Sequence, residues 1–441
     1  MRATEIGVTD DVWNLDLAAA PSSLDADPDV LLLATGAFDG RVKVWRFDRK
    51  APEVAPLVVW DLAGHRDRVR RVRFSPSARL LASAGFDGSA RVWDMGTGEG
   101  CALEMGTQPQ GTAQGEGTSK PATPLQVNQV LFSANAGWLL TADSGSNRPV
   151  RLWDPAACAE LPLPEALDHG QSRVQAAAVA TLEAGREAVT ERVATGDDFG
   201  TLRVAQQDAD GSWRRLCQLQ IARKPILDLA FSPNGGSLAT AGEDGRAVLV
   251  TVNDRGCGEP QVLDAGNTTL YSVAFAPDGE ALVTASLDAR AQVWSARGER
   301  LADLVGHKDR IYQASFSPDG RWLLTASRDG TVRVWERPRP STPGSKTAAA
   351  EVPFQSPYLV LEENLGGVAY AQFSPLGNSI AAAYWENAAM LWRLWSEGPE
   401  PDPALSATWG PQRARLTLIQ EAARFYQENR LGERARERVK D

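Results

Sequence analysis

The chain has 441 residues, of which 43% are hydrophobic and 23% charged, and this composition excludes a largely disordered protein. Its formal net charge of −10 argues against broad binding to DNA, RNA or anionic lipid, because such binding needs Lys and Arg to neutralise phosphates. No apolar run reaches the 18 residues that span a bilayer, and the segment from Met1 to Val8 lacks the features of a signal peptide. We therefore expect a soluble, cytoplasmic protein.

Cysteine and histidine are scarce. The four cysteines, Cys101, Cys158, Cys217 and Cys257, lie at least 40 residues apart, so zinc-finger and paired redox spacings are absent. We expect no metal, no cofactor and no disulfide framework. Cys158 and Cys217 are interpreted as small apolar residues.

A repeated pattern runs along most of the chain: an apolar run, then Ser or Thr, Asp four residues later and Trp six residues beyond that. The clearest copies are Leu31–Trp45, Leu80–Trp93, Leu282–Trp294 and Leu323–Trp335, of which the last two align without gaps at an offset of 41 residues. Looser copies are Trp138–Trp153, Val193–Val204, Leu238–Val250 and Ile380–Trp392. Eight copies are present in all.

Each copy predicts a small antiparallel sheet. Apolar residues alternate within a copy, as Val332 and Val334 do, and Asp-Gly or Pro-Asp-Gly turns separate the segments. A short apolar run that ends in an aromatic residue precedes each copy and is usually followed by Ser-Pro, as in Ala314–Pro318.

Two copies carry a Gly-His pair near the start and Trp near the end: Gly64-His65 with Trp93-Asp94, and Gly306-His307 with Trp335-Glu336. In these residues the sequence resembles the tryptophan–aspartate (WD) repeat family. The resemblance implies an all-β fold, a single β-propeller whose four-stranded blades surround a central channel. The copies predict eight blades over residues 1–396, with seven blades as the alternative.

The ends and insertions have their own predictions. Met105–Pro124 and Arg337–Ala350 are rich in Gly, Pro, Ser and Thr, which predicts loops between blades. Ala3–Ile6 is predicted to supply the outermost strand of the last blade, with Leu405–Trp409 as the alternative.

The tail is predicted to be separate from the propeller. After a linker over 397–411, residues 412–441 predict a C-terminal amphipathic α-helix, because apolar side chains between Leu418 and Tyr426 recur at helical spacing. The helix either packs on the propeller or engages another protein, and the spacing leaves both open.

Four residue types recur at one spacing in the second and seventh blades. The two sets are His65, Ser83, Asp87 and Trp93, and His307, Thr325, Asp329 and Trp335. The WD resemblance implies that each set is a structural hydrogen-bond tetrad, from indole to hydroxyl to imidazole to carboxylate. Duplication favours this interpretation over a catalytic one, because an enzyme does not need its triad in two blades.

Other blades depart from the pattern. Phe199 occupies the Asp position and Ala205 the Trp position of blade four, Val250 replaces Trp in blade five, and Ala382 and Glu386 replace the hydroxyl and Asp of blade eight. Histidine is expected to be missing from six blades. His169, within LPLPEALDHG, is predicted to lie in an exposed loop.

WD-repeat propellers resemble one another in binding partners at the rim of one face. The residues concerned enter each innermost strand or precede the turn Asp. Carried over to this sequence, the positions are Asp11, Trp13, Phe38, Arg68, Arg70, Phe86, Tyr271, Leu287, Arg310, Tyr312 and Arg328. Aromatic residues and Arg are typical of interface hot spots. Blades four and five offer Gln175, Asp198, Leu227 and Glu243 instead.

These features favour a non-enzymatic protein–protein recognition or scaffold module. The chain is most similar to bacterial WD-repeat domains attached to signalling ATPases, which implies a sensor or regulatory subunit of a signalling or defence-type complex. No Gly-x4-Gly-Lys-Ser/Thr phosphate loop is present, so an ATPase would be another chain or a part of the protein outside this sequence. The expected partners are proteins, neither nucleic acid nor membrane. The alternative is a propeller-fold hydrolase or lactonase with a channel active site, which the shortage of histidine disfavours.

Overall fold

The structure, a computed structural model, describes residues 2–7, 10–21, 30–48, 56–105, 125–145, 148–184, 188–208, 210–338, 354–386 and 388–394. The predicted linker over 397–411 and the predicted helix over 412–441 lie outside the described residues, as do most of the two predicted inter-blade loops. Within these ranges, no helix is long and apolar enough to cross a bilayer.

The strands form eight sheets, each a blade, and all pairings are antiparallel except that of one short strand added to blade six. The first four blades each contain four strands taken in chain order. Blade one contains β2 (Val12–Ala19), β3 (Val30–Ala37), β4 (Arg41–Asp48) and β5 (Leu57–Ala63); blade two contains β6 (Val69–Phe74), β7 (Leu80–Gly85), β8 (Ser89–Asp94) and β9 (Gly100–Glu104). Blade three contains β10 (Val127–Phe132), β11 (Leu139–Asp143), β12 (Val150–Asp154) and β13 (Ala159–Leu161); blade four contains β14 (Val174–Ala184), β15 (Ala188–Asp197), β16 (Thr201–Gln207) and β17 (Trp213–Gln220).

The remaining blades continue the pattern with small additions. Blade five contains β18 (Ile226–Phe231), β19 (Ser237–Gly242), β20 (Ala247–Asn253), β21 (Gly256–Cys257) and β22 (Gln261–Leu263); blade six contains β23 (Leu270–Phe275), β24 (Ala281–Ser286), β25 (Arg290–Ser295), β26 (Arg300–Val305) and the short β30 (Phe354–Gln355). Blade seven contains β27 (Ile311–Phe316), β28 (Trp322–Ser327), β29 (Thr331–Glu336) and β31 (Leu359–Glu362); blade eight contains β32 (Val368–Phe373), β33 (Ser379–Tyr384), β34 (Ala388–Arg393) and β1 (Arg2–Gly7). One short 3-10 helix, Glu165–Leu167, follows β13.

The first strands of consecutive blades contact each other around the ring, and β32 contacts β2 to complete it. Eight blades are therefore confirmed, and the seven-bladed alternative is wrong. Closure depends on β1, which pairs antiparallel with β34 from Arg2 opposite Arg393 to Gly7 opposite Ala388. The predicted role of Ala3–Ile6 is confirmed, since β1 is the outermost strand of blade eight and covers the edge of β34.

Apolar side chains fill the spaces between neighbouring blades. Ile6, Leu15 and Leu33 pack with Ala381 and Leu391 between blades one and eight. Buried tryptophans near the ends of third strands serve the same purpose, and they account for much of the unusual tryptophan content; Trp93, Trp294, Trp335 and Trp392 are at most 5% exposed.

Polar side chains also link the innermost strands of adjacent blades. An innermost strand has a free edge, and its buried amides need partners. Side chains from the preceding blade supply these partners. The amide of Val72 donates to Asn14 at 3.0 Å, and that of Phe74 donates to Asp16 at 2.8 Å. The amide of Val273 donates to Asp228 at 3.0 Å, and that of Ala371 donates to Gln313 at 3.2 Å.

The expectation that the cysteines are unpaired was wrong. Cys101 of β9 forms a disulfide with Cys158, and Cys217 of β17 forms one with Cys257 of β21, at Cα–Cα distances of 6.4 and 5.8 Å. Pairing was missed because the cysteines are 57 and 40 residues apart in sequence. The propeller brings them together, since each bond joins the outer parts of consecutive blades: two with three, and four with five.

Candidate protein-interaction face

A β-bulge occurs at the same position in the innermost strand of all eight blades. A bulge redirects the side chain of its extra residue. The bulged residues are Trp13, Arg70, Asn128, Gln175, Leu227, Tyr271, Tyr312 and Ala369. All of these except Asn128 line or border the mouth of the central channel, together with residues that follow them in the innermost strands.

The turn between the second and third strands is fastened to the same end of the innermost strand. Phe38 N donates to Asp11 O at 2.9 Å and Phe86 N to Arg68 O at 2.9 Å, and the same bond occurs in every blade. The turn requires a positive φ, which favours glycine: Gly40 has a φ of 77°, and a Cβ there would lie 2.7 Å from His65 O. In blade six Ala289 takes this position with a φ of 67°. This geometry places all eleven predicted binding residues on one side of the ring.

Five of the predicted residues form a cluster on blades one and two. Trp13 stacks on Phe38 with ring centroids 5.3 Å apart and contacts Phe86 at 5.6 Å. The Arg68 guanidinium lies over Phe38 at 4.6 Å, and that of Arg70 lies over Phe86 at 5.9 Å. We call this group the first cluster.

A second cluster spans blades six, seven and eight. Tyr271 contacts Tyr312 at 5.5 Å, and Tyr312 contacts Trp385 at 5.3 Å. Arg328 lies over Trp385 at 6.0 Å, and Arg310 interacts with both tyrosines. Burial raises the pKa of Tyr312 against the opposing effect of the two arginines, so this phenol is neutral at physiological pH.

Trp385 was missed by the sequence analysis. It precedes Glu386, the residue that replaces the turn Asp in blade eight, and it therefore occupies the position of Phe38 and Arg328. The signal was present, because Glu386 had already been aligned with the turn Asp, but no binding position was taken from blade eight. Two predicted residues stand apart from both clusters: Leu287 is 37% exposed on its turn, and Asp11 contributes its backbone carbonyl to Phe38.

The rim arginines have nearby carboxylates. Arg68 lies 3.9 Å from Asp67, and Arg310 and Arg328 lie 3.6 and 3.9 Å from Asp309. All of these side chains are between 32% and 49% exposed, so water screens the pairs and each stabilises the fold by about 1 kcal/mol or less. The arginines therefore remain available to a partner that displaces this water.

Blades three to five present a different surface. Asn128 is buried and donates to Val174 O at 3.1 Å, so this bulged residue is used internally. Burial raises the pKa of Asp198, although its neighbour Arg173 opposes the effect. Phe199 is 65% exposed at the turn of blade four and has no ring contact within the described part of the chain.

Both predicted tetrads are present. His65 Nε2 lies 2.8 Å from Ser83 Oγ and Nδ1 lies 3.1 Å from Asp87, while Trp93 Nε1 donates to Ser83 Oγ at 3.1 Å. In blade seven His307 Nε2 lies 2.7 Å from Thr325 Oγ1, and its Nδ1 lies 2.9 Å from Asp329 Oδ2. Trp335 Nε1 donates to Thr325 Oγ1 at 2.9 Å.

The tetrad hydroxyls are unsuited to nucleophilic chemistry. Ser83 and Thr325 are 0% exposed, and each already accepts a hydrogen bond from an indole. Burial lowers the pKa of His307, which keeps its imidazole neutral. Burial alone would raise the pKa of Asp329, but hydrogen bonds from His307, Thr331 and the Lys308 amide hold it well below its usual range. The geometry is that of a buried structural network.

The prediction for His169 was wrong. Its side chain is buried, with Nε2 2.7 Å from Thr195 Oγ1 and Nδ1 3.4 Å from Asp197 Oδ2. A third histidine network therefore exists in blade four, which lacks only the indole because Ala205 occupies the Trp position. The sequence concealed it because His169 precedes Thr195 by 26 residues instead of 18, and Asp197 instead of residue 199 supplies the carboxylate.

Among the described residues, no group of three or more His, Cys, Asp and Glu side chains is placed to hold a metal ion. In the comparisons with known proteins, the model of the family described as WD domain, G-beta repeat matches residues 17–46, 57–94, 214–249, 259–295 and 298–336. No curated protein matches the chain.

Four of the five matched segments are offset from the blades by one strand. Residues 57–94, for example, cover β5 of blade one and then β6, β7 and β8 of blade two. This offset explains why the first strand of the chain completes the last blade. WD-repeat propellers generally are non-enzymatic and typically mediate protein–protein interactions. The five family matches and the arrangement of eight blades together support a WD-repeat β-propeller.

Proposed function

We propose that this chain is a non-enzymatic recognition module that binds protein partners through the face carrying the two clusters. The observation that supports the proposal most is the concentration of aromatic rings and guanidinium groups on five consecutive blades: six, seven, eight, one and two. Such side chains contribute most of the energy in protein interfaces. Eight blades hold the turns rigidly, which lowers the entropic cost of binding.

The biological setting is also part of the proposal. We infer a sensor or regulatory subunit of a bacterial signalling or defence-type complex, in which an ATPase is another chain. The partner is a protein, since a net charge of −10 disfavours nucleic acid and anionic membranes. The predicted helix over 412–441 is a second candidate contact.

We propose the cytoplasm as the compartment, because nucleotide-dependent signalling complexes assemble there. The two disulfides weigh against it, since structural disulfides persist mainly in oxidising compartments. Measuring the thiol state of the chain in its native cell, with rapid alkylation at lysis, decides the point. Recovery of both pairs fully oxidised would contradict the cytoplasmic assignment.

Affinity capture from the native organism followed by mass spectrometry tests the binding face. Truncation of Trp13 or Tyr312 to Ala is expected to weaken capture at least about tenfold. Both rings also contact neighbouring rings, so melting temperatures must be measured alongside. Gln175→Ala and Leu227→Ala alter the equivalent bulged positions of blades four and five and serve as controls.

The arginines permit a cleaner comparison. Arg68, Arg173 and Arg310 occupy the same position in blades two, four and seven, where each carbonyl accepts the turn amide. We expect Arg68→Ala and Arg310→Ala to weaken capture and Arg173→Ala to leave it unchanged. If Arg173→Ala weakens capture and the other two variants do not, the binding face lies elsewhere on the ring. If only removal of residues 413–441 abolishes capture, the tail is the docking element.

A further inference from the structure

The central channel contains a cavity of about 500 Å³. This volume lies within the range of about 300–1,000 Å³ typical of small-molecule sites. Its lining comes from the innermost strands, at the bulged residue and the positions that follow. Much of that lining is polar, including Arg70, Arg71, Gln129, Ser272 and Tyr370.

Most polar groups just after the bulge already have structural roles. Asn14, Asp228 and Gln313 accept amides of the next blade, and Gln129 Nε2 donates to Gln175 O at 3.3 Å. These side chains are committed to joining the blades. Blade two has Arg71 at this position.

Arg71 differs from its equivalents because it makes no hydrogen bond or ion pair with any described residue. The adjacent Arg70 likewise has no carboxylate partner in the described part of the chain; its contact is with the ring of Phe86. Arg73, the third arginine of this strand, is by contrast paired, since it lies 3.4 Å from Asp16 and donates to Tyr370 Oη at 3.4 Å.

No carboxylate of the described residues pairs directly with Arg71. Asp228 and Tyr370 attract it at longer range, but Asp228 accepts the backbone amide of Val273 and does not lie within 4.0 Å of the Arg71 guanidinium. Burial and the neighbouring Arg73 lower the pKa of Arg71, and burial lowers the pKa of Arg70 to about 10. Two guanidinium groups thus lie partly desolvated without a directly paired carboxylate. A bound anion would stabilise this arrangement.

We propose that the central channel binds a small free oxyanion, with a carboxylate or phosphate group held by Arg71 and Arg70. Guanidinium groups donate paired N–H bonds to such oxygens, and a low-dielectric channel strengthens these bonds. Tyr370 adds a donor: its oxygen accepts from Arg73, and its own hydrogen remains to be donated into the channel. Arg71 belongs to neither cluster, whereas Arg70 is shared with the first cluster, so the site adjoins the protein-binding face but needs no partner.

Isothermal titration of the purified full chain with inorganic phosphate and with citrate, in a low-salt buffer free of other multivalent anions, tests the site. We expect Arg71→Gln to weaken binding at least tenfold and Arg70→Gln to weaken it less. Arg203→Gln is the matched control, because Arg203 is also a half-buried arginine whose pKa is lowered by burial, but it lies in the third strand of blade four. Arg203→Gln is expected to bind both anions like the parent chain.

Thermal unfolding gives a second readout. Anion addition is expected to raise the melting temperature of the parent chain and of Arg203→Gln but not of Arg71→Gln, while Arg71→Gln without anion melts no lower than the parent chain. The proposal would be overturned if the parent chain bound neither anion. It would also be overturned if Arg203→Gln weakened anion binding as much as Arg71→Gln does.

An acidic side chain of a partner is another source of the same chemistry, so a hexaglutamate peptide is the third titrant. Binding of phosphate or citrate that depends on Arg71 supports a free ligand, whether or not the peptide also binds. If the peptide binds in a way that depends on Arg71 while neither phosphate nor citrate does, the site belongs to an acidic partner. That outcome overturns the free-ligand proposal.

Discussion

Blades six, seven, eight, one and two differ from blades three, four and five in what holds them together and in what they present. The first group, here the closure half, contains the strand exchange of β1, both complete tetrads and both aromatic clusters. The second group, here the cross-linked half, contains or borders both disulfides and presents mainly polar bulged residues.

Different side chains therefore maintain the same strand pairing. Blade four lacks the buried tryptophan and instead uses Arg192, whose Nη1 donates to Gly235 O at 2.8 Å and whose Nη2 lies 2.7 Å from Asp254 Oδ1. Arg192 is buried and extends from blade four to blade five. All blades thus share the ladder of backbone bonds, whereas the side chains that join one blade to the next differ around the ring.

Removing the first strand tests the closure half most severely. Deletion of residues 1–8 removes six paired residues of β1, including the buried Ile6, and exposes the edge of β34. From lost hydrogen bonds and apolar burial, we expect a loss of about 5 kcal/mol or more in the free energy of unfolding. Chemical denaturation measures it. An unchanged midpoint would show that β1 does not close the ring.

Removing the disulfides tests the cross-linked half. In the chain-entropy description, closing loops of 57 and 40 residues stabilises the folded chain by about 4 kcal/mol each. We expect Cys101→Ser with Cys158→Ser, and Cys217→Ser with Cys257→Ser, each to lower the melting temperature. A reducing agent should lower it in the parent chain and not in the quadruple variant. Titration of four free thiols in the native, unreduced chain would contradict both bonds.

Replacing one histidine in each half sharpens the comparison. His307→Ala leaves Thr325 and Asp329 without their shared partner and is expected to cost about 1–3 kcal/mol. His169→Ala is expected to cost less, because its bond to Asp197 is longer, at 3.4 Å, and its network has no indole. Denaturation midpoints rank the two. A larger loss for His169→Ala would mean that the incomplete network is the more important one.

The number of blades was predictable because it depends on local patterns. Closure of the ring was predictable because the last copy lacks an outermost strand that the first segment of the chain can supply. Alternating apolar residues and Asp-Gly turns specify each hairpin, and a count of the repeats gives the ring. The tetrads were predictable for the same reason, since their residues lie at a fixed spacing within one repeat.

What the sequence did not predict involves contacts between blades or irregular spacing. Cys101 and Cys158 belong to different repeats, and no pattern within one repeat pairs them. His169 reaches Thr195 across an insertion that includes the helical turn Glu165–Leu167. Trp385 was overlooked because its repeat has Glu386 in place of Asp. The unpaired state of Arg71 depends on side-chain geometry across the channel, which no spacing reveals.

Acid titration has the smallest expected effect on stability, and it tests the closure half most selectively. Burial holds the pKa of His307 below its ordinary value of 6.5, so the unfolded chain takes up a proton more readily than the folded chain. The free energy of unfolding should therefore decrease as the pH falls below about 6.5, by at most about 1.4 kcal/mol for each unit by which the two pKa values differ. A second decrease should begin below about pH 4, because the folded chain holds the pKa of Asp329 below its ordinary value of 3.8. Denaturant titrations between pH 7.5 and 5 measure the first step, and His307→Gln should reduce it. The same variant should also weaken the step below pH 4, because the hydrogen bond from His307 helps to lower the pKa of Asp329. A parent chain that becomes more stable on acidification through pH 6 would show that the buried imidazole is protonated in the folded state.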